Sequence, residues 1–105
     1  MLLDRNGYYD LPAGKIASLV TYLEMTEPPP RRPGPDATGL GLRRVSEPDL
    51  DWYRRLFRRI GTEWLWFGRL VMPDDEVRSI IGHPQVEVHA LTRDGKDEGL
   101  LELDR

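Results

Sequence analysis

The sequence has 105 residues, no cysteine and a net charge of −3. That excludes a disulfide framework, a thiolate nucleophile and a Cys-ligated metal, and it argues against a general nucleic-acid binder, which is usually basic. With 39% hydrophobic and 31% charged residues the chain can bury a core and stay soluble, as one small domain or part of a larger one, most simply in the cytoplasm.

Met1 to Gly14 is polar and without a clear period. Met1-Leu2-Leu3-Asp4 holds no apolar leader, and no run approaches a membrane span. Lys15 to Met25 is rich in Ile, Val, Thr and Tyr, which favours a strand. Ile16, Leu19, Val20 and Leu23 also fit a helical period, so a short helix is the alternative. Pro28 to Pro35 cannot sustain helix or sheet and reads as an extended linker. It contains a P-x-x-P with arginines, the chemistry of ligands for aromatic peptide-binding grooves, although a stiff spacer is the simpler reading.

Gly39 to Val45 is a short strand. Ser46 is placed to cap a helix that has Pro48 just inside and Asp49 three residues on. Leu50, Tyr53, Phe57 and Ile60 repeat at helical spacing with Leu56 beside them, and Gly61 supplies the stop. The opposite face carries Asp51, Arg54, Arg55, Arg58 and Arg59. Those arginines suit a phosphate, but a solvated face with Asp51 paired to Arg55 is the plainer expectation.

Thr62 to Met72 packs Trp64, Trp66 and Phe67 into four positions, too densely for one buried face of either period. Some of these rings are expected to cover a groove or a partner; otherwise Trp64 and Phe67 pack on the core and Trp66 staples the loop. Pro73-Asp74-Asp75-Glu76 opens a second helix with Val77, Ile80 and Ile81 as its apolar stripe, ended by Gly82-His83-Pro84.

Gln85 to Asp104 then reads as a β-hairpin. Asp94-Gly95 is a strong two-residue turn signal, because both positions of a type I′ turn need positive φ. Arg93 then faces Lys96, and an uninterrupted ladder sets Val86 against Leu103, Val88 against Leu101 and Ala90 against Gly99 on one apolar face. His89 with Leu100 and Glu87 with Glu102 fall on the other.

Three runs, V-S-E-P-D-L-D-W-Y-R-R-L-F-R-R-I-G-T-E-W-L-W-F (Val45 to Phe67), M-P-D-D-E-V-R-S-I-I (Met72 to Ile81) and V-E-V-H-A-L-T-R-D-G-K-D-E-G-L-L-E-L-D (Val86 to Asp104), resemble the N-terminal half of the GNAT superfamily of acyl-CoA-dependent N-acetyltransferases. The resemblance covers about residues 40–105. It implies an α+β fold with a mixed, mainly antiparallel sheet and two helices, ordered strand, strand, helix, helix, strand, strand. Residues 1–38 are then an N-terminal strand and Pro-rich linker, and residues 39–105 the front half of an acetyltransferase-like domain.

The resemblance further implies acetyl transfer from acetyl-CoA to an amine. In that family a Gly-rich turn of the form R/Q-x-x-G-x-G/A cradles the coenzyme pyrophosphate. No stretch of this sequence fits it; Gly39-Leu40-Gly41 leads into a strand. The chain is therefore expected to supply the acceptor-side half, inactive alone, with the coenzyme motif elsewhere. Its expected partners are an amine-bearing small molecule or peptide, and either a second copy met through the Asp97 to Asp104 edge or the aromatic loop or a complementary C-terminal half docked on that edge, with no nucleic acid and no membrane. The alternative is a noncatalytic interaction module pairing through that open edge.

Glu87 and Glu102 are the catalytic candidates, since two facing carboxylates repel and one can then serve as acid or base. The plainer alternative is that both are exposed and bridged by an arginine such as Arg43 or Arg69. His89 follows because the histidine side chain is the one whose ordinary pKa lies near neutrality, although a lone strand histidine is commonly structural. Trp64, Trp66 and Phe67 lie where the resemblance places the wall of the acceptor site. No spacing of His, Asp and Glu suggests a metal.

Overall fold

The computed structural model describes residues 6–105; Met1-Leu2-Leu3-Asp4, the stretch read for a leader, lies outside the described residues. The chain divides into two units, Met1–Arg32 and Pro33–Arg105. In the first unit the described residues are all exposed and form neither helix nor strand. One turn is closed by the Lys15 N–H donating to the Pro12 carbonyl at 3.1 Å. The strand expected over Lys15 to Met25 is absent, and Ile16, Leu19, Val20 and Leu23 all face solvent. A solitary extended segment cannot satisfy its own backbone, so β-propensity makes a strand only where a neighbouring edge receives it.

The second unit is α+β. Its elements are β1 (Leu40–Val45), α1 (Leu50–Gly61), a 3-10 turn (Thr62–Trp64), α2 (Gly68–Val71), α3 (Asp74–Ile81), β2 (Val86–Arg93) and β3 (Lys96–Asp104). The sheet is ordered β1-β2-β3 and is antiparallel throughout, so the mixed four-strand arrangement expected from the sequence is replaced by three antiparallel strands.

α1 starts later than its sequence suggests. The cap is Asp49, whose carboxylate accepts the Trp52 N–H at 2.8 Å. A proline disfavours the helical region for the residue before it, so Pro48 holds Glu47 out of a helix begun at Ser46. Leu50, Tyr53 and Leu56 are buried as their spacing predicts. Val77 and Ile81 of α3 meet Leu50 and Tyr53 over Val88 of β2. Each large side chain buried there stabilises the unit by about 1.5–3 kcal/mol. The Asp51–Arg55 pair is not formed.

The hairpin turn is as expected: Asp94 (φ 49°) and Gly95 (φ 77°) both lie in the left-handed region, with Arg93 opposite Lys96. The ladder beyond it is not. Thr92 pairs with Asp97 but Leu91 pairs with Gly99, which makes Glu98 the extra residue of a β-bulge. Val88 therefore faces Glu102, Ala90 faces Leu100 and Glu87 faces Leu103. Because side chains alternate along a strand, this one extra residue turns Leu100 and Glu102 toward the helices and sends Leu101 and Leu103 to the opposite face. Gly99 permits it, since a Cβ there would stand 2.9 Å from Leu91 Cβ.

Candidate functional site

The bulge and α1 together build a concavity of about 220 Å³, lined by Tyr53, Phe57, Ile60, Trp66, Arg69, Leu100 and Glu102. Tyr53, Phe57 and Ile60 stand on one stripe of α1. The Tyr53 and Phe57 ring centroids are 6.1 Å apart, and Phe57 and Trp66 are 6.3 Å apart at 42°. Trp66 reaches the stripe because the chain reverses at Leu65, a left-handed residue (φ 57°), and the Trp66 N–H returns to the Gly61 carbonyl at 2.9 Å. A Cβ on Gly61 would stand 2.6 Å from Trp66 Cβ. Only glycine lets the indole cross the helix end so closely.

Arg69 arrives from α2, which Arg54 of α1 holds down. Arg54 donates to the Arg69 carbonyl at 3.2 Å and to the Met72 carbonyl at 2.6 Å, and pairs with Asp74 at the start of α3. The planar fork of arginine suits such divergent bonding. On the floor of the concavity, the Tyr53 hydroxyl donates to one Glu102 oxygen at 2.8 Å and Arg69 donates to the other at 2.6 Å. Burial, reinforced by the adjacent Glu102 carboxylate, pushes the Tyr53 phenol well above its usual range, with Arg69 opposing. Tyr53 therefore remains a protonated donor.

The chemistry of this niche follows from its pairing. Arg69 matches the charge of Glu102, so the floor has no net charge with which to prefer an ammonium over a free amine. Glu102 keeps lone pairs that can accept a further N–H donor, and the tilted rings of Phe57 and Trp66 give the niche an apolar wall.

The structure separates the sequence candidates. Glu102 and Trp66 meet in the niche. Glu87 and His89 lie on the opposite face of the sheet, so the facing pair of carboxylates does not exist. There Glu87 is 3.0 Å from Arg105 and 3.9 Å from both Arg44 and His89 Nε2, and His89 Nδ1 is buried with no partner. Around this cluster Leu42, Leu91, Leu101 and Leu103 are exposed. Trp64, Trp66 and Phe67 are all exposed, and of the three only Trp66 lines the niche, so the alternative that packed Trp64 and Phe67 on the core does not hold. Arg69 does bridge Glu102, whereas Arg43 bonds Asp97 instead of either glutamate. Tyr53, Phe57, Ile60 and Leu100 are not evident as site residues from the sequence, where they read as core or ladder positions. The available signal is Gly99, because an isolated glycine within a strand pattern marks a possible bulge.

No family model, no curated protein and no solved structure matches the chain. Among the described residues no group of His, Asp and Glu is arranged to hold a metal, and no helix is long and apolar enough to cross a membrane. Acetyl-CoA does not fit the helix starts. Asp49 and Asp51 stand at the N-terminus of α1, and Asp74, Asp75 and Glu76 at that of α3, where they would repel a pyrophosphate.

Proposed function

We propose that this chain forms the acceptor side of an amine N-acetyltransferase, with acetyl-CoA held by a part of the enzyme outside these residues. The observation that carries the reading is the convergence of Glu102 with the rings of Phe57 and Trp66 in one niche between α1 and β3. The order of strand, helices and two antiparallel strands supports it as well. Attack on a thioester needs the neutral amine, and a niche whose only carboxylate is already matched by Arg69 does not stabilise the unreactive ammonium. Glu102 orients the amine by accepting one of its N–H groups, and Trp66 walls its apolar substituent. Because both Glu102 oxygens already accept strong donors, its role is positioning the acceptor; the base is supplied elsewhere.

The test is acetyl-CoA-dependent acetylation of a panel of primary amines and peptides by the longest open reading frame containing this chain, with Trp66→Ala and Glu102→Gln beside it. Raised KM for the amine with little change in KM for acetyl-CoA is the expected result. No acetylation of any amine by the full reading frame removes the proposal.

A second reading, a noncatalytic module that pairs with another chain, is favoured by two features. β3 leaves one edge unpaired among the described residues, and the leucines around His89 are uncovered. Light scattering across a concentration series tests it: a monomer at every concentration removes self-association.

A further inference from the structure

On the other flank of α1 lies a larger concavity of about 410 Å³, lined by Trp52, Arg55, Leu56, Arg59, Lys96 and Asp97. Its floor is apolar and its wall is cationic. Asp97, the one acid in the lining, is fully engaged. Arg43 donates to both of its oxygens at 2.9 Å, and the Trp52 indole N–H donates to Oδ2 at 2.9 Å. Arg43 therefore cancels the only negative charge. Arg55 and Lys96 have no ion-pair partner among the described residues, and Arg59 approaches Glu98 only to 3.8 Å, an acid it shares with Arg93. Three cations thus converge on one recess of a chain whose net charge is −3.

Cations gathered with too few counter-charges repel, and an anion relieves that repulsion. We infer that this recess binds a phosphate-bearing small molecule, its phosphate among Arg55, Arg59 and Lys96 and its apolar part against Trp52 and Leu56. A guanidinium fork matches phosphate oxygens in pairs, and three cations exceed what one carboxylate can satisfy. The volume fits a metabolite-sized ligand, and a net charge of −3 is unlike that of a nucleic-acid binder, which is usually basic. The inference stands apart from the acetyltransferase reading, since no residue is shared between the two concavities.

The experiment is an ¹⁵N NMR titration of the full chain, following the Trp52 indole N–H and the Lys96 and Asp97 amides. The probes are pyrophosphate, ADP and acetate, with phosphatidic-acid vesicles as a sedimentation arm. Shifts confined to these signals, half-saturating below about 1 mM with ADP or pyrophosphate and much weaker with acetate, are expected. Arg55→Glu and Lys96→Glu each weaken binding about tenfold or more, while Arg58→Glu, on α1 outside the recess, changes it less than about twofold. Arg55→Ala and Lys96→Ala repeat the test if a charge reversal unfolds the chain. No response to the soluble phosphates, an equal response to acetate, equal weakening by Arg58→Glu, or binding to the vesicles in place of the soluble probes overturns the inference.

Discussion

Replacing Glu102 by alanine tests the bulged register directly. In the structure this change removes the acceptor of two hydrogen bonds, from Tyr53 and from Arg69. Tyr53 is fully buried, so its hydroxyl is left unsatisfied, at a cost of about 1–3 kcal/mol. The Arg69 pair is about a quarter exposed and adds about 1 kcal/mol or less. The summed loss is about 1–4 kcal/mol, a large part of the roughly 4–10 kcal/mol expected of a domain this size. Urea unfolding followed by circular dichroism and Trp fluorescence reads it as a midpoint lowered by about 2 M, for a slope near 1–1.5 kcal/mol/M. Tyr53→Phe removes the donor as well, so the double variant is less destabilised than the sum by at least about 1 kcal/mol. In an uninterrupted ladder Glu102 would sit beside Glu87, and its removal would relieve repulsion. A neutral or stabilising Glu102→Ala that is additive with Tyr53→Phe refutes the reasoning.

Gly61→Ala gains helix propensity yet drives a methyl into Trp66, and the net effect is a loss of about 1–2 kcal/mol with a red-shifted Trp emission; a gain in stability counts against the close crossing. Arg54→Ala frees α2, which speeds tryptic cleavage after Arg69, and Arg54→Lys does not restore resistance because a lysine cannot bond three acceptors in that geometry. Tyr53 has a raised folded pKa, so its contribution to stability is complete below about pH 10 and is lost as pH climbs beyond; thermal melts above that pH fall less steeply for Tyr53→Phe than for the parent. The Trp52 indole N–H first, and Arg43 second, hold the Asp97 carboxyl below its usual range. Its contribution is therefore complete above about pH 4 and is lost as pH falls through the lower folded value, and Asp97→Asn flattens that acid limb of the urea midpoint.

Local chemistry was legible in the sequence wherever neighbours along the chain settle it. The Asp94-Gly95 turn follows from the positive φ that a two-residue hairpin requires, and the stripe of Leu50, Tyr53 and Leu56 follows from helical spacing. Even the cap was within reach, since Pro48 excludes a helix begun at Ser46. The Lys15 to Met25 segment shows the limit of propensity, because a strand is a relation between two chains of backbone and nothing in its own residues supplies the second.

The site was decided by tertiary structure. Alternation along β3 fixes that Leu101 and Glu102 face opposite ways, but which of them meets the helices depends on a single bulged residue, Glu98. That choice places Glu102 where Tyr53 and Arg69 can donate to it, 49 and 33 residues away in the chain. Arg54 and Gly61 then bring Arg69 and Trp66 to the same niche through contacts that no local pattern specifies. Sequence set the hairpin turn and the buried stripe of α1; the long-range donors and close packing of α1 selected which face of β3 became chemical.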